Sequence, residues 1–262
     1  MMRSLWTAAS GMVAQQANID VVSNNLANVN TTGFKKSRTD FEDLMYQTMR
    51  QSGTATGADT MLPTGIQLGS GVRQVATQKI YTEGSFQSTG NELDMAIEGD
   101  GFFQITMSDG TINYTRDGAF KRDDQGRIVT SEGYPLEPAI TIPENSSNLA
   151  VSSDGRVSVI LAGETEAQEL GQLQLVKFVN PAGLDSVGHN LLKETAASGT
   201  PVASDPGIDG TGTVIQKYLE MSNVQIVDEM VNMIVAQRAY EINSKAITTS
   251  DEMLEQAANL KR

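Results

Sequence analysis

The chain has 262 residues, no cysteine, a hydrophobic content of 39% and a net charge of −13 at pH 7. This length allows one sizeable core, or a compact domain with extended arms. The composition excludes disulfides and thiolate metal sites, and the negative charge argues against a nucleic-acid binder, which needs a basic face. Most of the negative charge falls on residues 46–215, whereas both ends are close to neutral.

The first predicted element is an amphipathic helix over residues 3–29. Breaker residues at 30–33 are expected to end it. No apolar stretch typical of a cleavable signal peptide or a membrane span precedes or interrupts it, so an exported chain would use another route. Its apolar residues recur every three to four positions, which is a coiled-coil pattern. They are Leu5, Ala8, Met12, Ile19, Val22, Leu26 and Val29.

The middle of the chain contains two segments of different amino-acid composition. Residues 46–71 are rich in Gly, Thr and Ser, which predicts an extended linker with little core of its own. Residues 72–215 alternate short apolar runs with turn signals, including five Asp-Gly pairs, which are favoured in tight hairpins. The pattern therefore predicts a mainly-β domain. Its strand candidates are 95–97, 102–107, 128–129, 157–161 and 173–178.

The last predicted element is a helix over about residues 222–258. Neither Pro nor Gly occurs between residues 213 and 262, and a helix of this length would span roughly 55 Å. That is long for a globular domain, so the helix needs a partner along its length. Its predicted apolar line consists of Val227, Val231, Val235, Ala239, Ile242, Ala246, Met253 and Leu260.

These elements predict an α+β chain in which long terminal helices form a coiled-coil domain and a mainly-β domain is inserted between them. The expected divisions are 1–45 for the N-terminal helix, 46–71 for the linker, 72–215 for the β-domain and 216–262 for the C-terminal helix. Helices of unequal length cannot cover each other's apolar lines completely. We therefore expect the surplus to be buried against other copies of the chain.

Four segments carry a resemblance to a known family. They are NIDVVSNNLANVNTTGFKK at 18–36, NELDMAIEGDGFFQI at 91–105, YTRDGAF at 114–120 and EMVNMIVAQRAYEINSKAITTS at 229–250. Each resembles a signature of the bacterial flagellar rod and hook axial proteins, and the order along the chain is the same. The segment 46–63 resembles one that the distal-rod branch carries and the hook branch lacks, and in the family it is associated with a straight, rigid rod. Tyr46, Arg50, Gly53 and Pro63 mark it here.

The resemblance implies a structural role. Subunits would stack helically into a straight, hollow drive shaft that spans the periplasm within the basal body and transmits torque from motor to hook. The helices would line the inner tube, and the β-domain would form the outer layer. The implied partners are other copies of the chain, proximal rod proteins, the hook protein, the peptidoglycan-ring and outer-membrane-ring proteins, the rod cap and the flagellar type III export apparatus. That apparatus would export the chain without cleaving a signal peptide; neither nucleic-acid binding nor membrane insertion is expected.

Alternative functions remain open at this level. A hook or proximal rod subunit would share the same signatures. A peptidoglycan-cleaving enzyme would need two positioned acids in a cleft, and the β-domain offers Asp94, Asp100 and Asp117, each near a predicted turn. The only histidine, His189, has no catalytic motif around it. We therefore predict no catalytic residue, no metal site and no cofactor, and a peptidoglycan zymogram would separate the two classes.

Overall fold

A computed structural model describes residues 2–53, 62–162 and 166–259. Two long helices, α1 (Met2–Ala27) and α2 (Ile226–Asn259), lie at the two ends of the chain, and a short 3₁₀ helix spans Pro181–Gly183. Strands fill the part between the long helices. They are β1 (Ser37–Asp43), β2 (Tyr46–Arg50), β3 (Ile66–Gly69), β4 (Val72–Lys79), β5 (Phe86–Ser88), β6 (Met95–Glu98), β7 (Phe102–Thr106), β8 (Ile112–Thr115), β9 (Lys121–Arg122), β10 (Ile128–Val129), β11 (Leu136–Glu137), β12 (Ser146–Val151), β13 (Arg156–Leu161), β14 (Ala167–Gln172), β15 (Leu175–Lys177), β16 (Asp185–Gly188), β17 (Leu191–Lys193), β18 (Val202–Ser204), β19 (Thr213–Gln216) and β20 (Tyr218–Glu220).

The chain folds into two units. Unit 1 comprises residues 1–26, 37–78 and 225–262, and unit 2 comprises residues 27–36 and 79–224. Unit 1 therefore contains nearly all of α1, all of α2 and the first strands. Unit 2 contains the other strands together with the short segment that directly follows α1.

The strands of unit 1 form a long two-stranded ribbon. β1 pairs with β4, and β2 pairs with β3 in antiparallel register, with Tyr46 opposite Gly69. The backbone N–H of Leu44 donates to the carbonyl of Gly71 at 2.8 Å and joins the two pairings. Every residue of β2 and β3 is exposed. A two-stranded ribbon has no buried face of its own, so its apolar side chains are left exposed within one chain.

The main sheet of unit 2 has seven strands in the order β16-β17-β8-β7-β15-β18, with β11 paired to β7. Strands β12, β13 and β14 form a second antiparallel sheet, and smaller pairings join β19 to β6 and β20 to β5. The last two pairings bring the end of the β region back to its beginning, in the register Val214 opposite Ile97 and Leu219 opposite Gln87. Unit 2 is thus closed by strands from both of its sequence ends.

The core of unit 2 is apolar and tightly buried. Phe103 and Phe120 pack edge to face with ring centroids 5.2 Å apart, and Val157 and Val159 from the second sheet lie in the same cluster. A smaller aromatic cluster holds Phe102, Tyr114 and Phe178. Alternate residues of β13 point into the core, as expected for a strand covered on one face.

The structure confirms the α+β class and both terminal helices. All five strand candidates lie on strands, and the Asp-Gly pairs at 109–110 and 154–155 occupy the β7–β8 and β12–β13 hairpins. The segment 46–71, expected to be an extended linker, contains β2 and β3; residues 54–61 lie outside the described part of the chain. No helix in the described ranges is long and apolar enough to cross a membrane.

Candidate assembly surface

The outer face of α2 exposes aliphatic side chains in water. The side chains of Val227, Val235 and Ile242 are 74%, 62% and 67% exposed. Val231 and Ile234 on the same helix are about half exposed. Monomeric proteins seldom leave a contiguous set of this kind uncovered, and its usual meaning is a contact with another chain. We call Val227, Val231, Ile234, Val235 and Ile242 the α2 stripe.

A different line of α2 faces α1. Three pairs of residues make these contacts: Ser4 with Ser250, Gly11 with Asn243, and Asn25 with Glu229. The hydroxyl oxygens of the first pair lie 3.4 Å apart, and in the third pair the amide nitrogen donates to the carboxylate at 3.4 Å. Successive pairs advance by seven and then fourteen residues on α1, and retreat by the same steps on α2. The helices are therefore antiparallel, with a seven-residue contact repeat.

Small and polar residues occupy this contact line. A Cβ added to Gly11 would lie 2.8 Å from the side-chain nitrogen of Asn243, so glycine allows the Asn243 side chain to lie close to the backbone of α1 there. Ala236, Glu229 and Ser250 are the buried residues of α2. None of these three pairs includes a large aliphatic residue of α2, and the residues of the α2 stripe remain exposed.

The residues predicted to form the apolar lines of the two helices differ in their exposure. On α1, Ala8 and Val22 are buried, and Leu5, Met12, Ile19 and Leu26 are half-buried, as is Val29 just beyond the helix. The α2 residues are mostly outside the helix contact: Ala239 is half-buried, whereas Val227, Val231, Val235, Ile242, Ala246 and Met253 are exposed. Leu260 lies outside the described residues. Their role as an assembly interface stays a prediction.

The ribbon of unit 1 adds a second exposed apolar surface. Met45 is 88% exposed and Met49 is 66% exposed, and Tyr46, Ile66 and Leu68 are exposed beside them. The marker residues predicted for rod rigidity, namely Tyr46, Arg50, Gly53 and Pro63, are all exposed. A hydrogen bond to Asp43 raises the pKa of Tyr46 above its ordinary value of 10.0.

A groove of about 230 Å³ lies between α1 and the ribbon within unit 1. Its lining includes Arg3, Trp6 and Thr7 from the helix and Gln47 and Leu68 from the strands. Trp6, the single tryptophan of the chain, is 74% exposed. An open groove next to an exposed indole can receive an apolar side chain from another molecule.

Unit 2 contains a buried cluster of three charges that the sequence did not reveal. Lys35 donates to one carboxylate oxygen of Glu220 at 2.6 Å, and Arg116 donates to the other at 2.9 Å. The side chain of Glu220 is fully buried, and those of the two cations are nearly so. Arg116 also donates to the carbonyls of Gly99 and Gly101 through one terminal nitrogen and to the carbonyl of Ile97 at 3.4 Å through the other.

The cluster shifts the titration of its members. Burial by itself would raise the pKa of Glu220, but the charges of Arg116 and Lys35 outweigh it and hold that pKa below the ordinary value of 4.5. Burial lowers the pKa of Lys35, and the attraction of Glu220 opposes this only in part. The carboxylate is therefore ionised at neutral pH and fixed by two cations from distant parts of the chain.

The three acids considered for an enzyme have structural partners instead. Asp94 accepts from the amide of Asn91 at 2.9 Å, and Asp100 lies 3.4 Å from the ammonium of Lys177. Asp117 accepts from Thr32 at 2.8 Å and from Asn190 at 3.1 Å. Each of the three acids therefore has a partner that gives it a structural role. No group of three potential metal ligands occurs in the described ranges.

Family models match three parts of the chain. Residues 5–35 match the flagella basal body rod protein, residues 96–159 match the flagellar hook protein FlgE/F/G D1 domain, and residues 215–260 match the flagellar basal body rod FlgEFG protein C-terminal model. The first and last matches cover the two helices, and the middle one begins in β6 and ends in β13.

Several curated proteins are similar over their full length. Flagellar basal-body rod protein FlgG of Borreliella burgdorferi is 56% identical, and the match covers 100% of both chains. The proteins of the same name from Buchnera aphidicola (subsp. Schizaphis graminum) and Bacillus subtilis are 55% and 46% identical, over 99% and 100% of this chain and the whole of each relative. The chain therefore belongs to the flagellar basal-body rod protein family. It is a structural subunit of the rod and not an enzyme.

Sequence reasoning missed two features of the structure. The helix contact line was missed because its residues are small or polar, although Ser4, Gly11 and Asn25 lie at seven-residue spacing and this spacing was a visible signal. The charge cluster was missed because Lys35, Arg116 and Glu220 are far apart in sequence. Only the folded chain brings them together.

Proposed function

We propose that this chain builds the distal part of the flagellar rod, as a straight, hollow helical polymer that transmits torque from the motor to the hook. The α2 stripe carries the proposal, because it is a long aliphatic surface that the chain's own α1 leaves uncovered. Burying one Val or Ile side chain fully is worth about 1.5–3 kcal/mol before ordering costs. A second copy of the chain is the natural cover for such a surface in a homopolymer.

In this proposal the two helices of each subunit form a coiled-coil inner layer, and the mainly-β unit forms the outer layer. The seven-residue repeat of the contacts between α1 and α2 supports the coiled-coil geometry. The half-buried α1 residues and the exposed α2 residues then contribute to one continuous interface around the channel. An exposed line on α1, formed by Trp6 and Val13 seven residues apart, offers a complementary surface.

The ribbon is proposed to stiffen the polymer. Its exposed methionines and Tyr46 lie on a two-stranded structure with little support of its own, so contact with a neighbour would order it. The segment 46–63 would thereby hold adjacent subunits at a fixed distance and keep the shaft straight.

The remaining partners follow from the place of a rod in the basal body. We propose contacts with proximal rod proteins, the hook protein, the peptidoglycan-ring and outer-membrane-ring proteins, the rod cap and the export apparatus, with export that leaves no cleaved signal peptide. The family membership supports assembly with other flagellar components. No residue of this chain is assigned to any one of these partners.

Electron microscopy of the purified chain, seeded with native rod fragments, tests the proposal. The unaltered chain should extend the seeds as straight tubes, and Ile242→Asp should abolish extension by placing a charge in the stripe. Gln237→Asp is the matched control, because it adds the same charge to an exposed polar position of α2. Curved tubes from the unaltered chain would indicate a hook-type subunit, and normal extension by Ile242→Asp would contradict the role of the stripe.

Removal of residues 46–63 tests the ribbon separately. The shortened chain should still extend the seeds, but its tubes should curve or bend more than those of the intact chain. Straight tubes from the shortened chain would remove the ribbon from the account of rigidity, while leaving the role of the stripe intact.

A further inference from the structure

The chain passes between unit 1 and unit 2 four times. The passages lie at residues 26–27, 36–37, 78–79 and 224–225. Each passage is a single backbone segment, which can bend independently unless other groups hold it. Within each unit, however, one asparagine side chain holds several of these passages together.

In unit 2 this residue is Asn223. Its side-chain oxygen accepts from the backbone N–H of Lys36 at 2.8 Å. Its side-chain nitrogen donates to the carbonyl of Ile80 at 2.8 Å, to the carbonyl of Thr82 at 3.2 Å and to the Thr82 hydroxyl at 3.0 Å. A backbone bond of 2.9 Å from Ile80 N–H to the Lys36 carbonyl completes the ring. Three of the four passages therefore meet at this side chain on the unit 2 side.

In unit 1 the corresponding residue is Asn25, which is only 2% exposed. Its oxygen accepts from the backbone N–H of Ser37 at 2.9 Å, and its nitrogen donates to the Ser37 carbonyl at 2.8 Å. The same nitrogen donates to Glu229 of α2 at 3.4 Å. Asn25 thus joins the end of α1, the start of β1 and the first turns of α2, which are again three of the four passages.

The chemistry at both positions requires an amide. An asparagine side chain offers one acceptor oxygen and two N–H donors, and both residues use the oxygen and the nitrogen together. Aspartate has the same shape but no donor. At residue 25 it would face Glu229 with a second carboxylate in a buried place, and at residue 223 it would face two carbonyl oxygens.

We propose that Asn25 and Asn223 are ties that fasten the passages between the units, one tie within each unit, so that a force on one passage is shared by the others. They are positioning residues, which act through the backbone segments that they hold. The mechanical consequence rests on the proposed function as a torque-transmitting rod. The ties themselves do not depend on it.

Hydrogen exchange on the full-length monomer tests the ties directly. Asn223→Ala should speed exchange of the Lys36 amide roughly tenfold, and the Ile80 amide should also exchange faster. Asn25→Ala should speed exchange of the Ser37 amide roughly tenfold. Asn180→Ala is the matched control, because its exposed amide makes a single bond to the Ala197 carbonyl at 3.0 Å. Core strand β13 should exchange at its normal rate in all three variants.

Two results would overturn the assignment. One is unchanged exchange at the Lys36 and Ser37 amides. The other is uniform acceleration throughout a unit, because that would mean general destabilisation and not a local tie.

Swimming under load tests the mechanical consequence. A flagellated bacterium lacking its own rod gene would carry the unaltered chain, Asn223→Ala or Asn180→Ala. We expect Asn223→Ala to swim normally in dilute medium and to slow several-fold more than the control in viscous medium. Equal slowing would refute load sharing. If the unaltered chain itself fails to restore motility, the proposed torque-transmitting function fails, and the exchange result still decides whether the ties exist.

Discussion

Unit 1 and unit 2 differ in how much of their apolar side-chain surface is buried. Among the described residues, all but four of the buried hydrophobic side chains lie in unit 2, and those four are Ala8, Ala14, Val22 and Ala236. About three in four of the large hydrophobic side chains that are exposed lie in unit 1. Unit 2 therefore has a large apolar core of its own. Unit 1 has little core and a large exposed apolar surface, which is the surface that the proposed assembly would bury.

The polar groups show the same contrast. Unit 2 buries three charges and satisfies them internally through Lys35, Arg116 and Glu220. In unit 1 the buried residues of α2 are Glu229, Ala236 and Ser250, whereas the aliphatic residues of the α2 stripe are exposed. The same chain thus contains a unit with a large apolar core and a unit whose apolar side chains are mostly exposed, and the proposed assembly would cover the latter.

The largest effect should come from Glu220→Ala. This change leaves Lys35 and Arg116 buried without their anion, which typically costs about 3–5 kcal/mol of stability. Urea unfolding of the monomer, followed by a probe in unit 2, measures it. Glu241→Ala is the control in unit 1, where the exposed pair with Arg238 should be worth less than about 1 kcal/mol. Equal losses from the two variants would break the contrast between the units.

A matched glycine pair should give the next largest difference. A Cβ on Gly118 would lie 1.5 Å from the backbone oxygen of Met95, so Gly118→Ala should cost about 3 kcal/mol or more. A Cβ on Gly11 would meet only the end of the Asn243 side chain, which can rotate away. Gly11→Ala should therefore be close to neutral or stabilise by up to about 1 kcal/mol through helix propensity. Thermal unfolding of both variants measures the difference, and a costly Gly11→Ala would show that unit 1 is as tightly packed as unit 2.

Acid should weaken unit 2 through Glu220. Because the folded-state pKa lies below the ordinary 4.5, the contribution of this group to stability is complete above that value and is lost as the pH falls through the folded pKa. The free energy of unfolding, measured from pH 7 downwards, should fall below about pH 4.5. Glu220→Gln removes this titration, so its stability should fall less over the same range. Parallel curves for the two chains would contradict the pKa direction.

The smallest effect on the monomer should come from the α2 stripe. Val235→Ser changes a side chain that is 62% exposed, so monomer stability should change by no more than about 0.5 kcal/mol. Its effect should appear in assembly instead, as slower extension of seeded tubes. Calorimetry of the monomer and light scattering during extension would separate the two. A large loss of monomer stability would mean that the stripe is already covered within one chain.

The sequence was informative where the signal is periodic. The apolar repeat and the lack of Pro and Gly after residue 212 predicted α2, and the run at 102–107 predicted β7. Turn chemistry was less specific, because Asp-Gly pairs occur both in hairpins, as at 109–110, and in other loops, as at 209–210. Ribbon strands β2 and β3 were hidden in a Gly- and Thr-rich segment, since their pairing does not depend on a buried face.

The contacts between distant segments could not be predicted. Periodicity identified apolar lines on α2, but it could not say which line faces α1 and which line stays exposed. In the structure the contact line between the helices includes the polar residues Asn25, Glu229 and Asn243. The same holds for the ties at Asn25 and Asn223 and for the charge cluster at Glu220. They depend on which backbone segments meet in the fold, and the local sequence does not indicate this.

Cysteine labelling would test the central claim most directly, because the chain has no cysteine of its own. Val235→Cys places a single thiol in the α2 stripe, and Gln237→Cys places one on the polar side of the same helix. Alkylation rates would be compared between monomer and seeded tubes. The account predicts that the label at residue 235 reacts readily in the monomer and at least about tenfold more slowly in tubes, with a smaller change at residue 237. Equal rates at residue 235 in monomer and tubes would contradict the claim that neighbouring copies cover unit 1.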